Sequence, residues 1–178
     1  MSGETAAWPL MMGFADIGRR TPADPLKRRI ILDAAQRRQV AEALGLERLD
    51  LLEANVRLSA WHDGLRIEAD WRASVTQICG VSLDPFETSL EGRFSVRAVP
   101  PGSPNAPTEP TGEVEFDSEA EDPPDLLAGE SLDVGAYVVE HLALEIDPFP
   151  RKPGVEFEAP DEPAPPSPFD VLRALKRD

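Results

Sequence analysis

Between Leu52 and Val96 the side chains alternate by polarity over long runs, and a period of two commits this stretch to extended strands. Leu52, Ala54, Val56, Leu58 and Ala60 fall on one side of such a backbone, while Glu53, Asn55, Arg57 and Ser59 fall on the other. Leu65, Ile67, Ala69 and Trp71 repeat the pattern against Arg66, Glu68, Asp70 and Arg72, and Val75 and Gln77 prolong it. Between the two runs, His62-Asp63-Gly64 offers an Asp-Gly pair whose tolerance of positive φ suits a tight hairpin turn. Asp84-Pro85 turns the chain again, and Leu90, Gly92, Phe94 and Val96 alternate in a further strand. An antiparallel sheet with one wet face follows.

Helical signals flank these strands. Leu26 to Leu32 reads as one more strand, and Asp33 with Gln36 three residues later has the form of a capping box. The helix it opens runs to Leu44, with Val40 and Leu44 on one face and Gly45 as a left-handed stop. Val134, Val138 and Leu142 form a second helical stripe beside Tyr137 and Leu144, which Pro148 and Pro150 end. The implied fold class is α+β. It is an antiparallel β-sheet from segments near 26–32, 50–61, 65–79 and 88–98, with two packed helices near 34–44 and 134–145, a long acidic loop and a proline-rich C-terminal tail.

A chain of 178 residues fits one domain with appendages, and 19 prolines clustered after Pro100 and Pro148 reduce the part able to share a core. Residues 1–24 are expected to be a flexible N-terminal lead-in, with Trp8 to Phe14 as part of it or as a small packing strip. Residues 25–152 form the domain. Within it, 100–130 reads as a mobile acidic loop, poor in apolar residues apart from points such as Val114, Phe116, Leu126 and Leu127. Glu113 to Phe116 is a candidate edge strand there. Residues 153–178 read as a proline-rich linker and a short C-terminal helix, capped at Ser167-Pro168 and presenting Phe169, Leu172 and Leu175.

The formal net charge of −15 acts through long-range electrostatics, and no Lys or Arg occurs between Arg97 and Arg151, which argues against a nucleic-acid clamp there. Basic residues concentrate early, as Arg19, Arg20, Lys27, Arg28, Arg29, Arg37 and Arg38. A weak, salt-sensitive, sequence-blind RNA contact through this face is the alternative function. One cysteine cannot form an internal disulfide, and no apolar run suits a signal peptide or a membrane span, so the expected location is the cytoplasm. His62 and His141 lack metal-ligand spacing, the glycines form no phosphate loop, and Glu119-Ala120-Glu121-Asp122 lacks the regular spacing of a calcium loop. No catalytic residue, cofactor, metal, membrane or small-molecule substrate is expected, although Cys79 leaves a redox or metal sensor as a third class.

Two blocks carry a resemblance. The first is Gln77 followed by Cys79-Gly80-Val81-Ser82-Leu83-Asp84-Pro85-Phe86; the second holds Asp133-Val134-Gly135, Glu140-His141-Leu142-Ala143-Leu144, Pro148 and Pro150. Together they resemble the YceD family, the large ribosomal RNA subunit accumulation proteins, in an alphaproteobacterial-type branch lacking the second cysteine. Many members read Cys-x-Arg-Cys-Leu-Glu-Pro-Phe; Val81 and Ser82 depart from the Arg and the second Cys, and Asp84 keeps the charge of the Glu. The resemblance implies a non-enzymatic ribosome biogenesis factor that supports accumulation of large-subunit (23S) ribosomal RNA. The partner expected from the acidic surface is a ribosomal protein or a large-subunit assembly factor, with a ribosomal RNA precursor the partner under the alternative. On this reading Gln77, Cys79, Leu83, Pro85 and Phe86 form a turn that a partner recognises, and Glu119, Glu121, Asp122 and Asp125 supply an acidic surface. The competing view is that Leu83 and Phe86 fill the core and Pro85 only sets the turn.

Overall fold

The computed structural model describes residues 5–6, 10–107, 122–127, 129 and 131–157. In chain order its elements are β1 (Thr5–Ala6), β2 (Met11–Gly13), α1 (Phe14–Ile17), β3 (Leu26–Ile31), α2 (Ala34–Ala43), β4 (Arg48–Trp61), β5 (Gly64–Ile78), β6 (Pro85–Val99), β7 (Asp125–Leu126), β8 (Ser131–Asp133) and α3 (Val134–Glu145). The main sheet runs β1-β3-β4-β5-β6-β7, and β2 pairs with β8 in a small second sheet. β3 to β6 are antiparallel neighbours in sequence order, while β1 and β7 add short parallel pairings at the two edges. The protein is therefore α+β with a mostly antiparallel sheet, as the alternation predicts.

The apolar phase of the strands is the buried phase. Leu52, Leu58, Leu65, Ile67 and Val75 have no exposed surface, and they join Val40, Val134, Val138 and Leu142 from the helices in one core. Trp71 lies opposite Gly92 in the register, and a Cβ at Gly92 would sit 2.6 Å from the indole Cζ2, so the missing side chain makes room for the ring. Near its start β4 shifts register between Leu49 and Leu51. This bulge lets both Leu49 and Leu52 point inward.

The tight turn differs in detail from the Asp-Gly expectation. Trp61 pairs directly with Gly64, so His62 and Asp63 form the loop, and His62 carries the positive φ of 50°. Gly64 is needed for space instead. A Cβ there would lie 2.1 Å from the Ala98 carbonyl oxygen on the neighbouring strand. Asp63 is held from the other side by Ser103 and Asn105, which donate to its Oδ1 at 3.0 and 2.8 Å.

The two longer helices, α2 and α3, start on aspartate caps. Asp33 accepts from the N–H groups of Ala35 and Gln36, and Gln36 Oε1 accepts from Asp33 N–H at 2.8 Å, completing the capping box. Gly45 follows with φ 65°. Asp133 Oδ1 accepts from Gly135 and Ala136 at the start of α3 and also from Leu10 at 3.0 Å, tying the N-terminal strip to the helix. Residues 10–17, expected in a flexible lead-in, thus contribute Met12 and Ile17 to the core. Within the stretch expected as an acidic loop, Leu127 is buried and β7 pairs with the end of β6. The Glu113–Phe116 strand and the helix opened at Ser167 lie outside the described residues.

On the wet face, charged side chains stand opposite one another. Glu53 accepts from Arg72 across the strand pair and from Arg29 at 3.2 Å, which together hold its carboxyl below the usual range against the opposing effect of burial. Arg57 reaches Asp70 at 2.8 Å. Among the described residues no helix is long and apolar enough to cross a membrane.

Candidate functional site

The hairpin between β5 and β6 ends in a six-residue loop, Cys79 to Asp84, built around one sulfur. Cys79 N–H donates to the Asp84 carbonyl and Leu83 N–H to the Cys79 carbonyl, both at 2.9 Å, so the loop closes on itself. Inside it, Cys79 Sγ accepts from the N–H groups of Val81 and Ser82 at 3.4 Å. The sulfur also reaches outside the loop, accepting from Lys152 N–H at 3.3 Å.

That last bond is one of a set that captures the segment after α3. Gln77 Nε2 donates to the Asp147 carbonyl at 2.9 Å, and Gly80 N–H donates to the Pro150 carbonyl at 2.9 Å. Lys152 Nζ lies 3.6 Å from Asp84 Oδ2. A run such as Asp147 to Pro153 has prolines that cannot donate and no strand of its own, so its backbone groups need partners elsewhere. The β5–β6 hairpin supplies them. Pro148 and Pro150 read from the sequence as helix stops and as part of the family-like block; the missed signal is that a proline-rich run with no pairing of its own must be held by something.

The donors also set the chemistry of the thiol. The Ser82 hydroxyl, then the Ser82 and Lys152 amides, lower its pKa to about 6, with burial working in the opposite direction and the Val81 amide adding a smaller push. The side chain is fully covered. No histidine is among the partners of the sulfur. His141 instead stacks on Phe94 with ring centroids 3.9 Å apart, and its Nδ1 pairs with the Tyr137 carbonyl. Among the described residues no three His, Cys, Asp or Glu side chains come together as metal ligands.

The five residues expected to form a recognised turn divide by role. Gln77 and Cys79 are buried and hold the neighbouring segment; Phe86 is half-buried beside it. Leu83 and Pro85 face solvent. Leu83 is 75% exposed and has φ 61°, a left-handed conformation that costs a branched, bulky residue energy. It does not fill the core. Phe149, on the captured segment, is 82% exposed, and Ile78 at the end of β5 is 39% exposed.

The acidic candidates are elsewhere. Asp125 pairs with Ala98 at the far end of β6, about 40 Å along the strand from Pro85. Its carboxylate accepts from Tyr137 Oη at 2.9 Å; burial, then this bond, raise the phenol pKa. The Asp122 carbonyl accepts from Arg97. Glu119 and Glu121 lie outside the described residues.

The early basic residues are spread over three segments. Lys27 and Arg29 stand on the wet face of β3, Arg37 and Arg38 are on α2, and Arg19 and Arg20 precede the Thr21–Asp24 bridge. Several have local partners: Arg20 with Asp24, Arg29 with Glu53, Arg28 with the Lys27 carbonyl and Arg37 with the Leu32 carbonyl.

The family model described as "Large ribosomal RNA subunit accumulation protein YceD" matches residues 67–176, more than half of the chain. The chain belongs to the YceD family. The description of that family concerns accumulation of the large ribosomal RNA subunit, which gives the protein its general setting. The YceD match takes in the Cys79 loop, β6, α3 and the captured segment, and it excludes Arg19 to Arg38. No curated protein and no solved structure matches the chain.

Proposed function

We propose that this YceD protein is a non-enzymatic ribosome biogenesis factor of the cytoplasm that supports accumulation of large-subunit (23S) ribosomal RNA by contacting a protein. The partner is a basic ribosomal protein or a large-subunit assembly factor. The observation that carries the reading is Leu83: a bulky apolar side chain held in a left-handed conformation and left 75% exposed by a loop that is bonded on every side. Strain without burial gains the fold nothing, and strained residues cluster at functional positions such as ligand clamps and switch regions. Pro85, Phe149 and Ile78 extend the apolar surface around the same hairpin end.

Direct RNA binding has less support. Its residues are split over β3, α2 and the segment before Thr21, several are engaged by carboxylates or carbonyls, and all precede the stretch matched by the family. An affinity pull-down from native cytoplasm at low salt, with and without ribonuclease, separates the readings. Large-subunit components that persist after ribonuclease, and that disappear with Leu83→Gly plus Phe149→Ala, are expected. Retention that depends on intact RNA and ignores those substitutions would refute the protein-contact reading.

A further inference from the structure

The parity of hydrogen bonding in the sheet identifies a second surface. Trp61 and Gly64 flank a two-residue hairpin loop and therefore form a hydrogen-bonded pair. Alternation then directs the backbone groups of Gly64, Arg66, Glu68, Asp70 and Arg72 toward β4, and those of Leu65, Ile67, Ala69, Trp71 and Ala73 toward β6. Through the register, Phe94, Gly92, Leu90 and Thr88 of β6 answer β5. Glu87, Ser89, Glu91, Arg93 and Ser95 aim their N–H and C=O groups at the opposite edge. The bond from Leu127 N–H to the Val99 carbonyl, 2.9 Å, follows the same parity where β7 covers that edge. From Glu87 to Ser95 no described residue pairs with it.

Clefts lie along this edge on the side of α3. One, of about 620 Å³, is lined by Ser95, Val96, Tyr137, Glu140, His141 and Leu144 together with Asp125. Another, of about 430 Å³, is lined by Phe86, Thr88, Leu90, Glu145, Asp147 and Pro150. A strand laid on β6 would drop alternate side chains into them, past the exposed Leu144 and the His141 ring. Carboxylates border both clefts. The cations there are Arg66 and Arg97 in the first, Arg97 already donating to the Asp122 carbonyl and lying 5.1 Å over the Trp61 ring, and Arg151 in the second.

We propose that the β6 edge receives an extended segment of the partner protein in which apolar residues alternate with lysine or arginine. Backbone pairing supplies the affinity, and the carboxylates with the chain's net charge of −15 select a basic strand. A second copy is the wrong occupant, because two chains of −15 repel. The proposal rests on the reading that the partner is a protein, and it names the chemistry of the contact.

The test uses the full chain and a synthetic peptide of about ten residues alternating lysine with valine, and a glutamate-valine counterpart as control. Ser89→Pro removes one outward N–H while leaving the β5 ladder intact, as proline on the solvent side of an edge strand does. Anisotropy at low salt is expected to show the lysine peptide bound about fivefold to tenfold more weakly by Ser89→Pro, with Ser89→Ala unchanged and the glutamate peptide not bound. Amide exchange on the unmodified chain gives a readout that survives any misfolding of the variant. The peptide should slow exchange at Ser89, Glu91 and Arg93 and leave Thr88 and Leu90, already in the ladder, as they were. Protection without that alternation, equal binding of both peptides, or protection that grows with protein concentration in the absence of peptide would overturn the proposal. A pull-down complex lost on Leu83→Gly plus Phe149→Ala, alongside no peptide protection of β6, would overturn the edge site and leave the protein-contact reading standing.

Discussion

A sulfur that accepts from the Ser82 hydroxyl and from the amides of Ser82, Lys152 and Val81 is stabilised as thiolate. The unfolded thiol titrates near its ordinary value of 9.0 and the folded one at about 6, so across that window the unfolded state holds a proton the folded state has released. Stability should therefore rise with pH from about 6 to 9, stay level above 9, and lose this contribution as pH falls through 6. Because Cys79 is the only cysteine, thiolate absorbance in the folded chain should titrate with a single midpoint near 6; a midpoint near 9 would sink the assignment. Denaturation of Cys79→Ala should lack this pH-dependent rise. Leu83 gives the opposite kind of prediction. Glycine relieves the left-handed strain at φ 61° but loosens the unfolded chain, so Leu83→Gly should be neutral to about 1 kcal/mol more stable by urea denaturation. A loss of more than about 1 kcal/mol would mean that the exposed side chain supports the fold after all.

At the level of elements, the legible parts are those whose signals are local. The alternation in β4 and β5 needs only neighbouring residues, as does the Asp33–Gln36 capping box, and both form where expected. The Cys79 loop was legible as a turn but not as a clamp, because its bonds from Gln77 to Asp147 and from Lys152 to Cys79 span 70 and 73 residues. The two- and three-residue strands β1, β2, β7 and β8 have no periodicity of their own and exist through what they pair with. Gly64 shows the same limit. Its sequence context suggests a positive φ, whereas its real constraint is the Ala98 carbonyl of a strand more than thirty residues away. Gly64→Ala should cost about 2–3 kcal/mol and loosen the β4–β5–β6 corner, seen as a lower urea midpoint with faster amide exchange at Leu65 and Val99. At the start of α3, Asp133→Ala removes an acceptor shared by Leu10, Gly135 and Ala136. The expected cost is about 1–2 kcal/mol, and exchange at Leu10 should accelerate with that of the helix start, because one carboxylate caps both.

For the molecule as a whole, the two proposed contact surfaces sit on the one strand, β6, with the apolar Cys79 hairpin at its beginning and the edge site along its length. Charge then links binding to stability with opposite signs. A chain carrying −15 repels itself when compact, and salt relieves that repulsion, so thermal stability should rise with ionic strength. Its exposed ion pairs, such as Arg20–Asp24 and Arg57–Asp70, weaken under the same change but are each worth less than about 1 kcal/mol. The balance should therefore favour the self-repulsion term. Attraction to a basic partner runs the other way, because each ion that screens the carboxylates screens them from the partner too. Raising salt from about 0.02 to about 0.3 M should increase the melting temperature by a few degrees while weakening the partner complex by about tenfold or more. Calorimetry and a binding titration on the same samples check both halves. Affinity that holds constant while the melting temperature climbs would show that the complex depends on the apolar hairpin end around Leu83 and Phe149, and that the acidic surface serves solubility alone.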